Sequence, residues 1–123
     1  MARILVIEDD ADVRTVLSRA LTGAGHSISE ARNGKEAEQH LKRQFFDLVS
    51  VDILMPERDG FETIQAIRKS FPHVKIIAIS GAPSFRSYNP LETAKFLGAD
   101  RAVSKPFEPA TILRVVQELL ATD

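Results

Sequence analysis

Short apolar runs alternate five times with longer amphipathic segments along this chain. That rhythm predicts five βα units around a parallel sheet. Ile4-Leu5-Val6-Ile7 is the first run. The segment after it spaces Val13, Val16, Leu17, Ala20 and Leu21 with a helical period and runs out near Gly23 and Gly25. His26 to Glu30 alternates in the manner of a short edge strand, and Asn33-Gly34 reads as a turn before a helix that uses Ala37 and Leu41. Asp47 to Val51 is nearly continuous hydrophobe, as expected of a strand covered on both faces.

The second half repeats the pattern. A polar loop runs through Asp59-Gly60, then a helix carries Phe61, Ile64, Ile67 and Phe71 and stops at Pro72, which cannot continue it. Val74 to Ile79 is the fourth strand. An irregular stretch from Gly81 to Pro90 leads to about two turns of helix ending at Gly98. Ala99 to Ser104 is a weak fifth strand. Pro109 suits a first helical position, and Ile112, Val115, Val116, Leu119 and Leu120 give the last helix its buried stripe. No internal repeat, low-complexity tract or linker interrupts the series, so residues 1–123 read as a single domain.

Composition narrows the functional classes. The chain has 123 residues, enough to bury a core without staples, and 44% hydrophobic with 27% charged residues is ordinary for a soluble globular protein. A formal net charge of -1 gives no general nucleic-acid or membrane surface. With no cysteine there is no disulfide, no thiolate metal site and no thiol nucleophile. No apolar run is long enough to span a bilayer. The expectation is a soluble, cytoplasmic protein without direct nucleic-acid or membrane partners.

Candidate chemistry lies where the apolar runs stop. Glu8-Asp9-Asp10 follows the first, Asp52 the third, Ser80 the fourth and Lys105 the fifth. Open parallel sheets bind ligands beyond the carboxyl ends of their strands. If the first and third strands are neighbours, the acids converge from strands about 5 Å apart. Clustered carboxylates repel, so one is protonated or a cation joins them. Hard oxygen ligands without a well-placed His or Cys describe a magnesium arrangement. An ammonium at Lys105 and a hydroxyl at Ser80 add the charge compensation that a phosphoryl group needs. The chain has neither a Walker loop nor a GxGxxG nucleotide cradle. The acceptor is therefore expected to be a side chain, and Asp52 is the central carboxylate.

Ile4 to Asp9, Asp52-Ile53-Leu54-Met55-Pro56 with Asp59-Gly60, Ser80, Gly98-Ala99-Asp100 and Lys105-Pro106-Phe107 together resemble the receiver domain of two-component response regulators. The resemblance spans the whole chain. It implies a flavodoxin-like (CheY-like) α/β fold, doubly wound, with five parallel strands in the order 2-1-3-4-5 and helices on both faces. It implies a phosphoacceptor signalling module of a two-component or phosphorelay system. Asp52 would take a phosphoryl group from a histidine kinase or histidine phosphotransfer protein. Mg²⁺, or Mn²⁺ in its place, would be held by Asp9, Asp52 and the backbone carbonyl of Leu54, with Glu8 acting mainly through water. Ser80 and Lys105 would bind the phosphoryl oxygens, and the Lys105–Pro106 bond would be cis. The module would promote its own phosphoryl transfer and slow autodephosphorylation, without being an enzyme in the usual sense. Its output would pass to a downstream protein target, or to an output domain if the chain is a fragment.

Four departures from the family pattern accompany the resemblance. Ala102 stands where an aromatic switch residue is common, leaving Phe85 or Tyr88 as substitutes from the loop. Gly81 replaces the usual alanine, and the stretch from Ser80 to Gly98 is longer than typical. Leu54 and Ala82 occupy the two positions that guide the hydrolytic water, and neither side chain can hydrogen-bond it. Slow phosphate loss is the expectation.

Plainer roles compete at several positions. Asp10 before a helix is expected to be an N-cap, and Asp59 before Gly60 a turn residue. His26, His40 and His73 are expected on the surface, and Phe45, Phe46, Phe61, Phe71 and Phe107 in the core. Two other functional classes stand beside the signalling switch. A small phosphatase with an aspartyl intermediate generally needs a second acid two residues after its nucleophile, where this chain has Leu54. A pseudo-receiver binding only a partner or a flavin fits poorly with a full set of acids and lysine.

Overall fold

The computed structural model describes residues 2–53, 60–81 and 90–121. The elements run β1 (Arg3–Ile7), α1 (Ala11–Gly23), β2 (Ser27–Ala31), α2 (Gly34–Arg43), β3 (Leu48–Asp52), α3 (Gly60–Ser70), β4 (Lys75–Ser80), α4 (Pro90–Leu97), β5 (Arg101–Ser104) and α5 (Pro109–Leu120). All five strands are parallel, in the order β2-β1-β3-β4-β5. The flavodoxin-like architecture expected from the sequence is therefore present, with β1 and β3 adjacent.

The sheet separates two cores. Alternate strand residues, among them Leu5, Ile7, Val49, Val51 and Ile76, point to one face and pack under Ala37 and Leu41 of α2, Ile64 and Ile67 of α3 and Ala94 of α4. Ile4, Val6, Leu48, Ile77 and Ile79 point the other way, under Leu17 and Leu21 of α1 and Ile112, Val115, Val116 and Leu119 of α5. Every residue of β3 is buried, which explains why its sequence shows no polar alternation. Fully burying each large aliphatic side chain contributes roughly 1.5–3 kcal/mol.

Some boundaries move from the sequence reading. His26 precedes β2, and its ring nitrogen Nδ1 accepts a hydrogen bond from the Ala2 N–H at 3.2 Å. Asp47 is not in β3. Its carboxylate accepts from the Arg3 N–H at 2.9 Å, while its own N–H donates to the Arg3 carbonyl, so it clasps the starts of two strands. Asp52, by contrast, is the last residue of β3 itself.

The ends of the helices follow local chemistry. Asp10 caps α1, its Oδ1 accepting from the N–H groups of Asp12 and Val13 at 2.9 and 3.3 Å, as expected. Asn33 caps α2 through the Glu36 N–H. Gly98 ends α4 with φ at 128°, a conformation that needs glycine. The stem of Arg68 lies where a side chain at that position would point. The Arg68 guanidinium donates to the carbonyls of Pro72, Val74 and Gly98 and to the Asp100 carboxylate, tying α3, β4 and the α4–β5 turn together.

The aromatic and histidine expectations divide. Phe46 is buried, whereas Phe45 is 56% exposed and stacks on the ring of His73, with 5.2 Å between centroids and 3° between planes. Adjacent residues leaving α2 cannot both face inward, and Phe46 takes the core. His73 is exposed as expected, but His26 and His40 are half-buried, the latter edge-on to Phe46. No helix among the described residues is long and apolar enough to cross a membrane.

Candidate functional site

The acidic rim is assembled by the strand register. Ile7 pairs with Val51 and Asp52 with Ile79, so the residues that follow β1, end β3 and end β4 emerge side by side. Glu8 continues the ladder through its N–H to the Ala31 carbonyl and is almost completely buried. Asp9 beside it is exposed, and Asp52 is buried. One carboxylate oxygen from each of Glu8, Asp9 and Asp52 lies within 4.8 Å of the others. Residues separated by more than forty positions thus meet in one small pocket, as the sequence suggested.

Lys105 reaches the same place from β5. Its Nζ lies 3.3 Å from Glu8 Oε2 and 3.5 Å from Asp52 Oδ2. Its backbone N–H donates to the Ser80 carbonyl at 2.8 Å, which fixes the start of the β5–α5 turn against the end of β4. The Lys105–Pro106 peptide is cis, as the resemblance implied. Ser80 is buried at the end of β4, one residue beyond the partner of Asp52.

The electrostatics are those of an unbalanced cluster. Burial, contact with the Asp52 carboxyl and the Asp52 charge push the Glu8 carboxyl up to about 8, against smaller opposing effects of Lys105 and the Asp10 N–H. Burial alone would pull the Lys105 ammonium down, but the charges of Asp52 and Glu8 outweigh it and raise its value. Glu8 Oε2 is buried without a hydrogen bond despite its ion-pair distance from Lys105. A buried carboxylate oxygen with spare lone pairs, beside two further hard oxygen donors, fits a small divalent cation. The donor set is oxygen throughout, which suits Mg²⁺ better than a softer metal.

Two residues matter here that the sequence reading passed over or took only as part of a turn. Arg14, one turn into α1, donates through Nη1 to the Glu8 carbonyl at 2.9 Å and through Nε to Glu30 Oε1 at 3.0 Å. It thereby fixes the Glu8–Asp9 peptide between α1 and β2. A cation placed six residues after a strand-end acid was the available signal. Gly60 donates its N–H to the Ile53 carbonyl at 2.7 Å. A Cβ there would run into the Ile53 Cα and the Asp52 carbonyl, so only glycine can close against the end of β3.

Other expected participants fall elsewhere. Leu54, Asp59, Ala82, Phe85 and Tyr88 lie outside the described residues. Ala102 is half-buried in β5 and packs against the core beneath α4. A methyl group has no rotamers with which to sense Ser80.

Beside the acidic pocket, Val13, Val16, Lys105, Pro106 and Phe107 line a mostly apolar groove of about 500 Å³ between α1 and the β5–α5 turn. Val16 is 48% exposed at its edge.

Comparison with known proteins matches this arrangement. The family described as the response regulator receiver domain matches residues 4–117. The chain is 34% identical over 118 residues to the chemotaxis protein CheY of Thermotoga maritima, covering 95% of this chain and 96% of that protein. Among solved structures, a CheY-like receiver domain protein from Methanospirillum hungatei superposes with a TM-score of 0.89 at 27% identity, over 98% of this chain and 94% of that one. The response regulator TrrA of Thermotoga maritima, solved in complex with Mg²⁺ and a beryllium fluoride, gives a TM-score of 0.82 at 34% identity, over 97% and 99% of the two chains.

Proposed function

The chain belongs to the receiver domain family of response regulators, and from that membership we propose that Asp52 is its phosphoacceptor. The observation that carries this reading is the convergence of Glu8, Asp9, Asp52 and Lys105 on one pocket. Receiver domains are signalling modules of two-component systems, which interact with kinases and with downstream targets. In this reading a carboxylate oxygen of Asp52 attacks the phosphorus of a phosphohistidine on a kinase or phosphotransfer protein. The new O–P bond forms as the P–N bond breaks, and the electron pair leaves with the imidazole nitrogen.

Asp9 and Asp52, with the Leu54 carbonyl, would hold Mg²⁺ directly, and Glu8 would act mainly through water. The ion supplies charge neutralisation at the phosphoryl oxygens. Mn²⁺ is the expected substitute. Lys105 already lies between Glu8 and Asp52 and would turn its ammonium to a phosphoryl oxygen. Ser80 would donate its hydroxyl to a second one. The groove supports docking of the phosphodonor, since Lys105 lines it and also reaches Glu8 and Asp52. The modified Asp52 gains roughly 1.5 to 2 negative charges, biasing β4, the segment after it and β5 toward a second arrangement read by a target protein. This chemistry belongs in the cytoplasm, where the phosphodonor works.

Incubation with acetyl phosphate and Mg²⁺ should give an acid-stable, base-labile phosphoryl adduct that Asp52→Asn lacks. Continuous phosphate release without an adduct would favour a phosphatase, and no reaction would favour a pseudo-receiver. Slow loss of the phosphoryl group follows from the apolar side chains of Leu54 and Ala82. The double substitution Leu54→Asn and Ala82→Glu should accelerate that loss.

A further inference from the structure

Among the described residues, two large hydrophobic side chains are exposed, Val16 and Phe45, and each stands at a groove. The first borders the acidic pocket. The second sits at the other pole of the sheet, beneath the amino ends of the strands, and the proposed phosphoryl chemistry makes no use of it. Isolated exposed apolar residues are normal. Phe45 is not isolated. Its ring stacks on exposed His73, and the pair separates a cleft of about 430 Å³ from one of about 300 Å³. Val74 lies in both, Leu119 and Leu120 in the larger, Phe71 in the smaller.

The charge around this pair leans positive, with Arg68, Lys75, Lys42 and Arg43 lining the two clefts against Asp47 and Asp100. Asp100 is paired with Arg68 and Lys42 with Glu38, while Asp47 accepts from the Arg3 N–H and keeps its charge. Lys75 borders the larger cleft and Arg43 the smaller, and neither has a recorded ion pair among the described residues. The acids of the opposite rim are one strand length away, roughly 17 Å. We propose that the Phe45–His73 pair, with Arg43 and Lys75 on either side, is a docking surface for an acidic partner segment bearing an aromatic side chain. The aromatic group enters the cleft against Phe45 and Val74, and carboxylates of the same segment meet the two cations. Aromatic anchors set among complementary charges are the usual seat of binding energy at such surfaces. An acidic segment is repelled by the Glu8–Asp9–Asp52 rim, so the two poles select different partners and can be occupied together.

The probe is a short synthetic peptide of Glu and Asp residues around a single Trp, with a Ser-for-Trp version as control, titrated into the ¹⁵N-labelled full chain. Amide shifts should cluster at Phe45, His73 and Lys75 and spare the neighbours of Asp52. Phe45→Ser and Arg43→Glu should each weaken binding about tenfold. Both positions are exposed, and a thermal melt of each variant verifies folding. Equal binding of the control peptide, shifts away from this pole, or no binding would overturn the proposal. So would concentration-dependent dimerisation abolished by Phe45→Ser, since a second copy would then cover the surface. Acetyl phosphate labelling of Asp52 should be unchanged in Phe45→Ser, so this surface and the phosphoacceptor can fail separately.

Discussion

The two ends of the sheet treat charge in opposite ways. At the amino ends, Arg68 donates to three backbone carbonyls and to Asp100, and Asp47 clasps β1 to β3. Each of these three side chains does a structural job. At the carboxyl ends, three carboxylates crowd together around the ammonium of Lys105 among the described residues. The first set holds segments together, whereas the second, among the described residues, is a gathering of acids around one lysine. Acids gathered by the register at strand ends are the arrangement on which the proposed cation and phosphoryl chemistry rests.

Opposite signs on mutation would sharpen that contrast. Arg68→Met should cost about 3 kcal/mol in urea unfolding, because carbonyls of the α3–β4 and α4–β5 turns lose their donors and Asp100 its partner. A loss below about 1 kcal/mol would mean the pole is not held by this residue. Asp52→Asn should act the other way, raising the stability of the cation-free protein by about 2 kcal/mol through relief of repulsion. Adding Mg²⁺ should erase most of the difference between Asp52→Asn and the parent.

The pH response distinguishes the ends further. Glu8 is raised to about 8 when folded, so between about 4.5 and 8 the folded state holds a proton that the unfolded state has released. Cation-free stability should be highest at the acid side of that window and fall as pH rises through it. The slope is bounded by one proton, about 1.4 kcal/mol per pH unit. Excess Mg²⁺ should flatten the curve, and Mg²⁺ affinity should climb toward pH 8. A curve unaffected by Mg²⁺ would separate Glu8 from the cation. The smallest effect is expected from Arg14→Met, about fivefold weaker Mg²⁺ binding by NMR titration, since one hydrogen bond to the Glu8 carbonyl is lost. An unchanged affinity would show that the Glu8–Asp9 peptide holds its position unaided.

The fold and the acidic rim were legible because both are written in short-range pattern. Apolar runs set the strands, and the residue type at each run's end set the chemistry of the rim. Arg68, Arg14 and Gly60 were not legible in the same way. Their roles depend on contacts between segments that only the assembled sheet brings together. The Phe45-Phe46 pair shows the limit most directly, since two identical residues in succession give no sign of which one turns inward. Asp47 and Asp52 traded places at the two ends of β3 for a related reason. An aspartate beside an apolar run can close a strand or clasp its start, and the choice is made by its neighbour in space.

The burial of β3 on both faces, between β1 and β4, has a practical consequence. Amide protons along such a strand exchange with solvent only when the whole domain opens, so their exchange rates are a gauge of global stability. Asp52 terminates that strand. A ligand captured at its end should slow deuterium uptake at Val49 and Val51 by the factor its binding equilibrium dictates, turning the middle of the sheet into an internal meter for events at its edge.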